Sequence, residues 1–306
     1  MSDIAESLNT TENNKITVPP EVMEIAKNTL GKFFEPLCRT SATILAHDHL
    51  NVEKALNRGV TLQKITSLES KKLLEIGSGF GVNIAAWIKQ FKIDGYGVEP
   101  SSEGFSASFD ASRQLLAANG IDQGRILDAK GENLPFEDET FDIVYSANVL
   151  EHTDNPALVL KEAIRTLKRG GLLYIEVPNY LSYFEGHYMI FQPPILWKSI
   201  LPFWVKYVTR RDPAFATTLQ TQINPLWCRR IINDINRIYP VKLVTLGEDS
   251  FLNRLAKPFN FETQQVRGRL SSVISILQKL NINNWIGRVI VFLQGHYPIY
   301  IILNRE

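Results

Sequence analysis

The chain has 306 residues, 44% of them hydrophobic, which is ample for one α/β core with additions. Its formal charge is +1 and no basic run is present, so DNA and RNA are excluded as expected partners. Cys38 and Cys228 stand far apart, with no Cys-x-x-Cys or Cys/His cluster; this fits a reducing, cytoplasmic setting and predicts no bound metal.

The segment Met1 to Thr17 is polar and lacks the basic start and apolar core of a signal peptide, so residues 1–18 read as a disordered tail. From 19 to 68 the apolar spacing is helical, with Val22, Ile25, Ala26 and Leu30 on one stripe and Ile44, Leu45, Leu50, Val52 and Leu56 on another. This stretch reads as an N-terminal helical lid. His47, Asp48 and His49 are adjacent on it and point in different directions, which argues against a shared metal.

Residues 69–306 read as the main domain. Leu73 to Ile76 forms a short buried strand that breaks into Gly77-Ser78-Gly79-Phe80-Gly81, and Val82 to Phe91 follows as an amphipathic helix. Three glycines at alternate positions let peptide N–H groups approach a ligand closely. The dinucleotide fingerprint wants its third glycine one position later, where Val82 stands, so a nicotinamide-dependent oxidoreductase is the weaker reading. Glu75, two residues before the first glycine, suits a ligand with a positively charged end better than a pyrophosphate. Glu99 ends the next strand about 20 residues past the loop, the separation at which such folds hold a ribose diol.

These residues resemble the class I S-adenosylmethionine-dependent methyltransferases. The likeness sharpens to their type 11 branch at Gly131-Glu132-Asn133-Leu134-Pro135-Phe136, Phe141 to Ser146, Asn148-Val149-Leu150-Glu151-His152 and Lys168-Arg169-Gly170-Gly171-Leu172-Leu173, the last being the turn into a fifth strand expected at Leu172 to Val177. The resemblance implies a Rossmann-like, seven-stranded, mostly parallel α/β sheet whose antiparallel last strand, 298–303, lies next to the fifth. It implies S-adenosyl-L-methionine as cofactor. Glu75 and the backbone of Gly77, Ser78 and Gly79 would take its methionine portion and the ribose edge, Glu99 the ribose hydroxyls, and Gly131 and Glu132 the adenine, with Gly81 and Asn148 completing the set. One departure is Lys130, where the branch usually has an aspartate for the adenine amino group. Either Asp128 substitutes after a small register shift, or backbone and packing hold the ring.

His152 follows the fourth strand's carboxyl end, where open α/β sheets place ligands, and is the candidate general base for a substrate hydroxyl. Its bland alternative is a ring hydrogen-bonded to a neighbouring loop. After the fifth strand, Pro178 to Tyr188 carries four aromatic rings, Glu185 and His187; Tyr180, Glu185, His187 and Tyr188 are the candidate acceptor-binding residues. Similar Glu-Gly-His-Tyr segments occur in methyltransferases of surface-glycan and secondary-metabolite pathways.

Substrate-side insertions are expected at about 179–223 and 252–293. Met189 to Val208 is apolar and aromatic, but three prolines and two lysines forbid a membrane span; it reads as a hydrophobic lid or as an element resting at a lipid surface. Asn224-Pro225 opens a helix, Pro240 to Leu246 reads as the sixth strand, and Leu270, Val273, Ile274, Ile276, Leu277 and Leu280 form an apolar helical face. The expected function is methyl transfer to a small-molecule or lipid/glycan-linked acceptor, at oxygen. A cofactor-binding protein without turnover, or a membrane-surface protein using 189–208, are the alternatives; the oligomeric state is open.

Overall fold

Leu73, Leu74 and Ile76 are buried in β1 (Lys72–Ile76), the run of consecutive apolar residues that a central parallel strand requires. The computed structural model that shows this describes residues 14–101, 106–256 and 282–306. β1 pairs in parallel with β2 (Asp94–Val98) on one side and β4 (Phe141–Ala147) on the other, and β2 pairs with β3 (Ile126–Leu127).

The chain divides into two units. The first runs up to Val149 and adds Asn155–Tyr174 and Asn304–Glu306; the second comprises Leu150–Asp154 and Ile175–Leu303. The first unit holds β1 to β4 and most of β5 (Leu167–Val177). Its helices are α1 (Pro20–Phe33), α2 (Ala42–His49), α3 (Val52–Gln63), α4 (Val82–Phe91), α5 (Ser106–Ala118) and α6 (Pro156–Thr166). α3 packs on α4, where the buried Trp87 indole donates to the Ala55 carbonyl at 2.7 Å. α2 brings His49 edge-on to Phe80 of the glycine loop, with ring centroids 6.4 Å apart.

In the second unit the end of β5 is followed by a small hairpin of β6 (Phe184–Glu185) and β7 (Ile190–Phe191). Then come α7 (Pro225–Asn236), β8 (Val241–Thr245), α8 (Glu248–Ala256), α9 (Asn283–Phe292) and β9 (Ile299–Arg305). Asn224 caps α7 by accepting from the Trp227 N–H at 3.0 Å, with Pro225 at the first position, as the dipeptide predicts. The seven-stranded sheet has the order β3-β2-β1-β4-β5-β9-β8, mostly parallel with an antiparallel last strand, β5 and β9 each running from one unit into the other.

Two expectations change. Lys168 to Gly171 reads as a turn in the sequence but lies within β5, because a side chain at Gly171 would meet the Lys168 and Asp142 carbonyls at 2.8 and 2.9 Å; the glycines mark close backbone approach inside a strand, not its start. The expected tail gives way to packed chain before residue 18. Ile16 is buried, and Thr17 exchanges two hydrogen bonds of 2.8 Å with Asn119. Residues 1–13 lie outside the described residues, as does the expected apolar face from Leu270 to Leu280.

The chain's last turns are anchored by Arg305. This buried guanidinium donates to the carbonyls of Ile164, Arg165 and Leu167 and to Glu139 at 3.0 Å. Arg305→Met keeps the apolar stem but leaves those carbonyls without their donor. We expect it to lower unfolding free energy by about 1–3 kcal/mol in urea denaturation; an unchanged midpoint would count against that anchoring.

Candidate active site

The glycine loop after β1 is built from two different glycines. Gly77 has φ 72° and sits where a Cβ would lie 2.3 Å from Val149 Cγ2, whereas Gly79, at φ 52°, has open space where its Cβ would be. The first lets the loop pack; the second leaves room above it. Glu99 Oε2 accepts the Gly79 N–H at 2.9 Å, tying the end of β2 to the loop.

Glu75 is buried at the end of β1. Its Oε1 accepts from Asn83 Nδ2 at 2.6 Å, while Oε2 has no hydrogen-bond partner, and neither does the buried Ser78 hydroxyl. Burial raises Glu75 from its ordinary 4.5 to about 8 against the lowering effect of Asn83, and raises Glu99 to about 7 against the Gly79 N–H. A buried carboxylate with one orphaned oxygen is a costly arrangement unless a ligand supplies donors or positive charge. The cradle therefore fits a ligand with a cationic end and hydroxyls.

The second unit has a separate polar cluster. His187 Nδ1 is 2.6 Å from Glu185 Oε1, and Glu185 Oε2 accepts the Tyr188 N–H at 2.7 Å. His187 Nε2 lies 3.1 Å from His152 Nε2, with the two rings nearly perpendicular at 87°. Glu151 Oε1 is 3.9 Å from His152 Nε2 and 4.0 Å from His187 Nε2. Glu151 is fully buried with no hydrogen-bond partner on either oxygen, and burial raises it to about 7. Burial, then His187, holds His152 below its ordinary value; burial also pulls His187 down, but Glu185 more than offsets this.

A family model described as "Methyltransferase domain" matches residues 74–175, the span from β1 to the end of β5. Residues 74–175 carry a methyltransferase domain. An uncharacterized protein of Methanocaldococcus jannaschii is 38% identical over 34% of this chain and 43% of its own length. An uncharacterized methyltransferase of Mycobacterium avium is 33% identical over 40% of this chain and 46% of its own. The chain thus spans less than half the length of these curated relatives. A SAM-dependent methyltransferase structure from Aquifex aeolicus is 15% identical over 72% of this chain and 90% of that one, with a TM-score of 0.44.

In the methyltransferase domain, Glu75, Gly77, Ser78, Gly79, Gly81 and Glu99 come together around one loop. Gly131 is packed so tightly that its Cβ would meet Ile76 and Val159 at 3.0 Å, and Glu132 accepts the Asn155 N–H at 3.2 Å. Asp128, the alternative to the missing aspartate at Lys130, accepts the Ser101 N–H on Oδ1 at 2.8 Å and the Ser101 hydroxyl on Oδ2 at 2.5 Å. Asn148 is exposed, with left-handed φ of 55°.

Of the expected acceptor residues, Glu185 and His187 join the cluster. Tyr180 is buried nearby in sequence with an unpartnered hydroxyl. Tyr188 is built into the scaffold instead: its hydroxyl donates to Asp212 O at 2.9 Å and accepts from Ala216 N at 3.1 Å. Sequence reasoning passed over Glu151. The signal that could have found it is a charged residue between an apolar strand end and His152, at a position with no surface pattern of its own.

Proposed function

We propose that this chain transfers a methyl group from S-adenosylmethionine to a hydroxyl oxygen of a small or lipid-linked acceptor. The cofactor half rests on the orphaned buried oxygen of Glu75 beside the Gly77–Gly81 loop. Glu75 would meet the methionine end, Glu99 the ribose hydroxyls, and Gly131 with Glu132 the adenine. When bound, the cofactor supplies a methyl group already activated on sulfur, so alignment of the acceptor can provide most of the acceleration. We assign activation of the acceptor hydroxyl to His152 together with His187, whose orientation Glu185 fixes. Transfer of labelled methyl to a panel of hydroxylated sugars, free and lipid-linked, tests the reading. Cofactor binding with no product from any acceptor would instead favour a binding protein without turnover.

A lipid-linked acceptor is favoured by the second unit's surface. Leu196, Trp197, Phe203, Tyr207 and Val208 are all more than half exposed, with Lys198 and Lys206 among them. A groove of about 400 Å³ beside this run is lined by Leu196, Trp197, Leu226 and Trp227, with Lys198 and Arg230 also in its wall. Apolar walls with cations suit an acyl or prenyl chain joined to an anionic group. Trp204 is less available, since its indole donates to Phe191 O at 2.8 Å. Among the described residues no helix is long and apolar enough to cross a membrane. We expect the wild type to pellet with anionic liposomes severalfold more than Trp197→Ser/Phe203→Ser; equal pelleting removes the lipid-surface reading and leaves a soluble acceptor.

A further inference from the structure

Glu151, His152 and His187 present three ligating atoms to one point, and they do so across a gap of 35 residues in the chain. The position of each is set by its neighbours. Leu150–His152 is a single helical turn, which delivers Glu151 and His152 as consecutive residues. His187 is delivered by the β6–β7 hairpin, and its ring is fixed by Glu185, which itself is held by the Tyr188 N–H.

The hydrogen bonding of this group is incomplete in a specific way. With Nδ1–H of His187 donated to Glu185, the lone pair of a neutral His187 sits on Nε2 and faces His152 Nε2 at 3.1 Å. Opposite them, the fully buried Glu151 carboxylate has no hydrogen-bond partner. Two imidazole nitrogens that face each other and a buried carboxylate with both oxygens orphaned thus converge on one point.

We infer that Glu151, His152 and His187 form a binding site for a divalent first-row transition ion, of which Zn²⁺ is the default. Two imidazoles and one carboxylate make up the protein donor set of many catalytic zinc and iron(II) sites, and Glu185 on His187 Nδ1 is the outer carboxylate that such ligands carry. Donors about 2.1 Å from an ion stand about 3.0–3.4 Å from each other, the range in which the two nitrogens already lie. The carboxylate closes the remaining gap by rotating about its own side-chain torsions. Three protein donors leave a coordination position open, and the His152 side chain, 27% exposed, marks the accessible side. Ion binding itself does not depend on the methyl-transfer reading. Its use does: if that reading holds, an acceptor hydroxyl bound to the ion would lose its proton more readily, and His152 with His187 would activate the acceptor through the ion they hold.

The test is titration of the chelator-stripped full chain with Co²⁺ and with Zn²⁺, following visible cobalt absorption and calorimetric heat. We expect one equivalent bound. His187→Gln and Glu151→Gln should abolish the cobalt bands, and Glu185→Gln should weaken binding about 10- to 100-fold. Melting temperature and S-adenosylhomocysteine binding, measured on the same preparations, report whether each variant folds. No cobalt band in the folded wild type, or equal binding by wild type and His187→Gln, overturns the site. Cofactor binding without cobalt binding would sink the ion site and leave the methyl-transfer reading standing; cobalt binding without cofactor binding would do the reverse.

Discussion

Glu99→Ala weakens S-adenosylhomocysteine binding by about 30- to 150-fold, and Glu75→Gln removes most of the pH dependence of that binding. The first figure follows from losing a charge-assisted contact, about 2–3 kcal/mol when the partner is ionised. Glu99 also holds the Gly79 N–H at 2.9 Å, so the substitution loosens the loop as well as removing the acceptor for the ribose. The second follows from burial. Glu75 has its folded value raised from 4.5 to about 8, so between those values the folded chain holds a proton that the unfolded chain has released. Stability of the ligand-free protein therefore falls as pH rises through that window, with the full penalty above about 8. A ligand bringing positive charge to Glu75 favours the carboxylate, so binding near pH 7 releases a proton and tightens as pH rises toward 8. Calorimetry in two buffers of different ionisation heat counts that proton. Equal heats in both buffers for the wild type would mean that Glu75 does not face the cationic end of the ligand.

The part of the site that was legible in the sequence is the part encoded by contiguous residues. Glu75, the three glycines and Glu99 occupy strand ends and one loop, and strand ends of a parallel sheet can be placed from apolar runs alone. The family resemblance then supplies the mostly parallel sheet with its antiparallel last strand next to the fifth. The rest was not legible for physical reasons. His152 and His187 meet through a hairpin whose two strands have two residues each, too short for any periodic signal. Glu151 in Leu-Glu-His carries no sign in sequence of its surroundings; only the tertiary packing shows it fully buried. The turn expected at Lys168 to Gly171 failed because glycine signals close backbone approach as readily as a chain reversal. Tyr188 was expected to face a ligand, since a tyrosine hydroxyl gives no sign in sequence of whether Asp212 and Ala216 will satisfy it.

The two loop glycines should separate folding from binding. At Gly77 an alanine Cβ would stand 2.3 Å from Val149 Cγ2 and 2.9 Å from Cγ1, and the residue must also keep φ at 72°. Overpacking and left-handed strain together cost about 2–5 kcal/mol, so Gly77→Ala should lose much of its stability in denaturant unfolding. Val149→Ala opens the space the new methyl needs, and the double variant should regain the steric share and keep only the backbone share, about 1–2 kcal/mol. At Gly79 nothing lies within 4 Å of the added methyl, so Gly79→Ala pays the backbone share alone and stays folded. That open space adjoins the N–H held by Glu99, and a methyl there intrudes where a ligand must approach the backbone. S-adenosylhomocysteine binding should therefore fall at least tenfold in a variant that loses only about 1–2 kcal/mol of unfolding free energy and remains folded. If Gly79→Ala binds as tightly as the wild type, the space over this loop is not where the cofactor lies, and the cradle formed by Glu75 and Glu99 serves some other ligand.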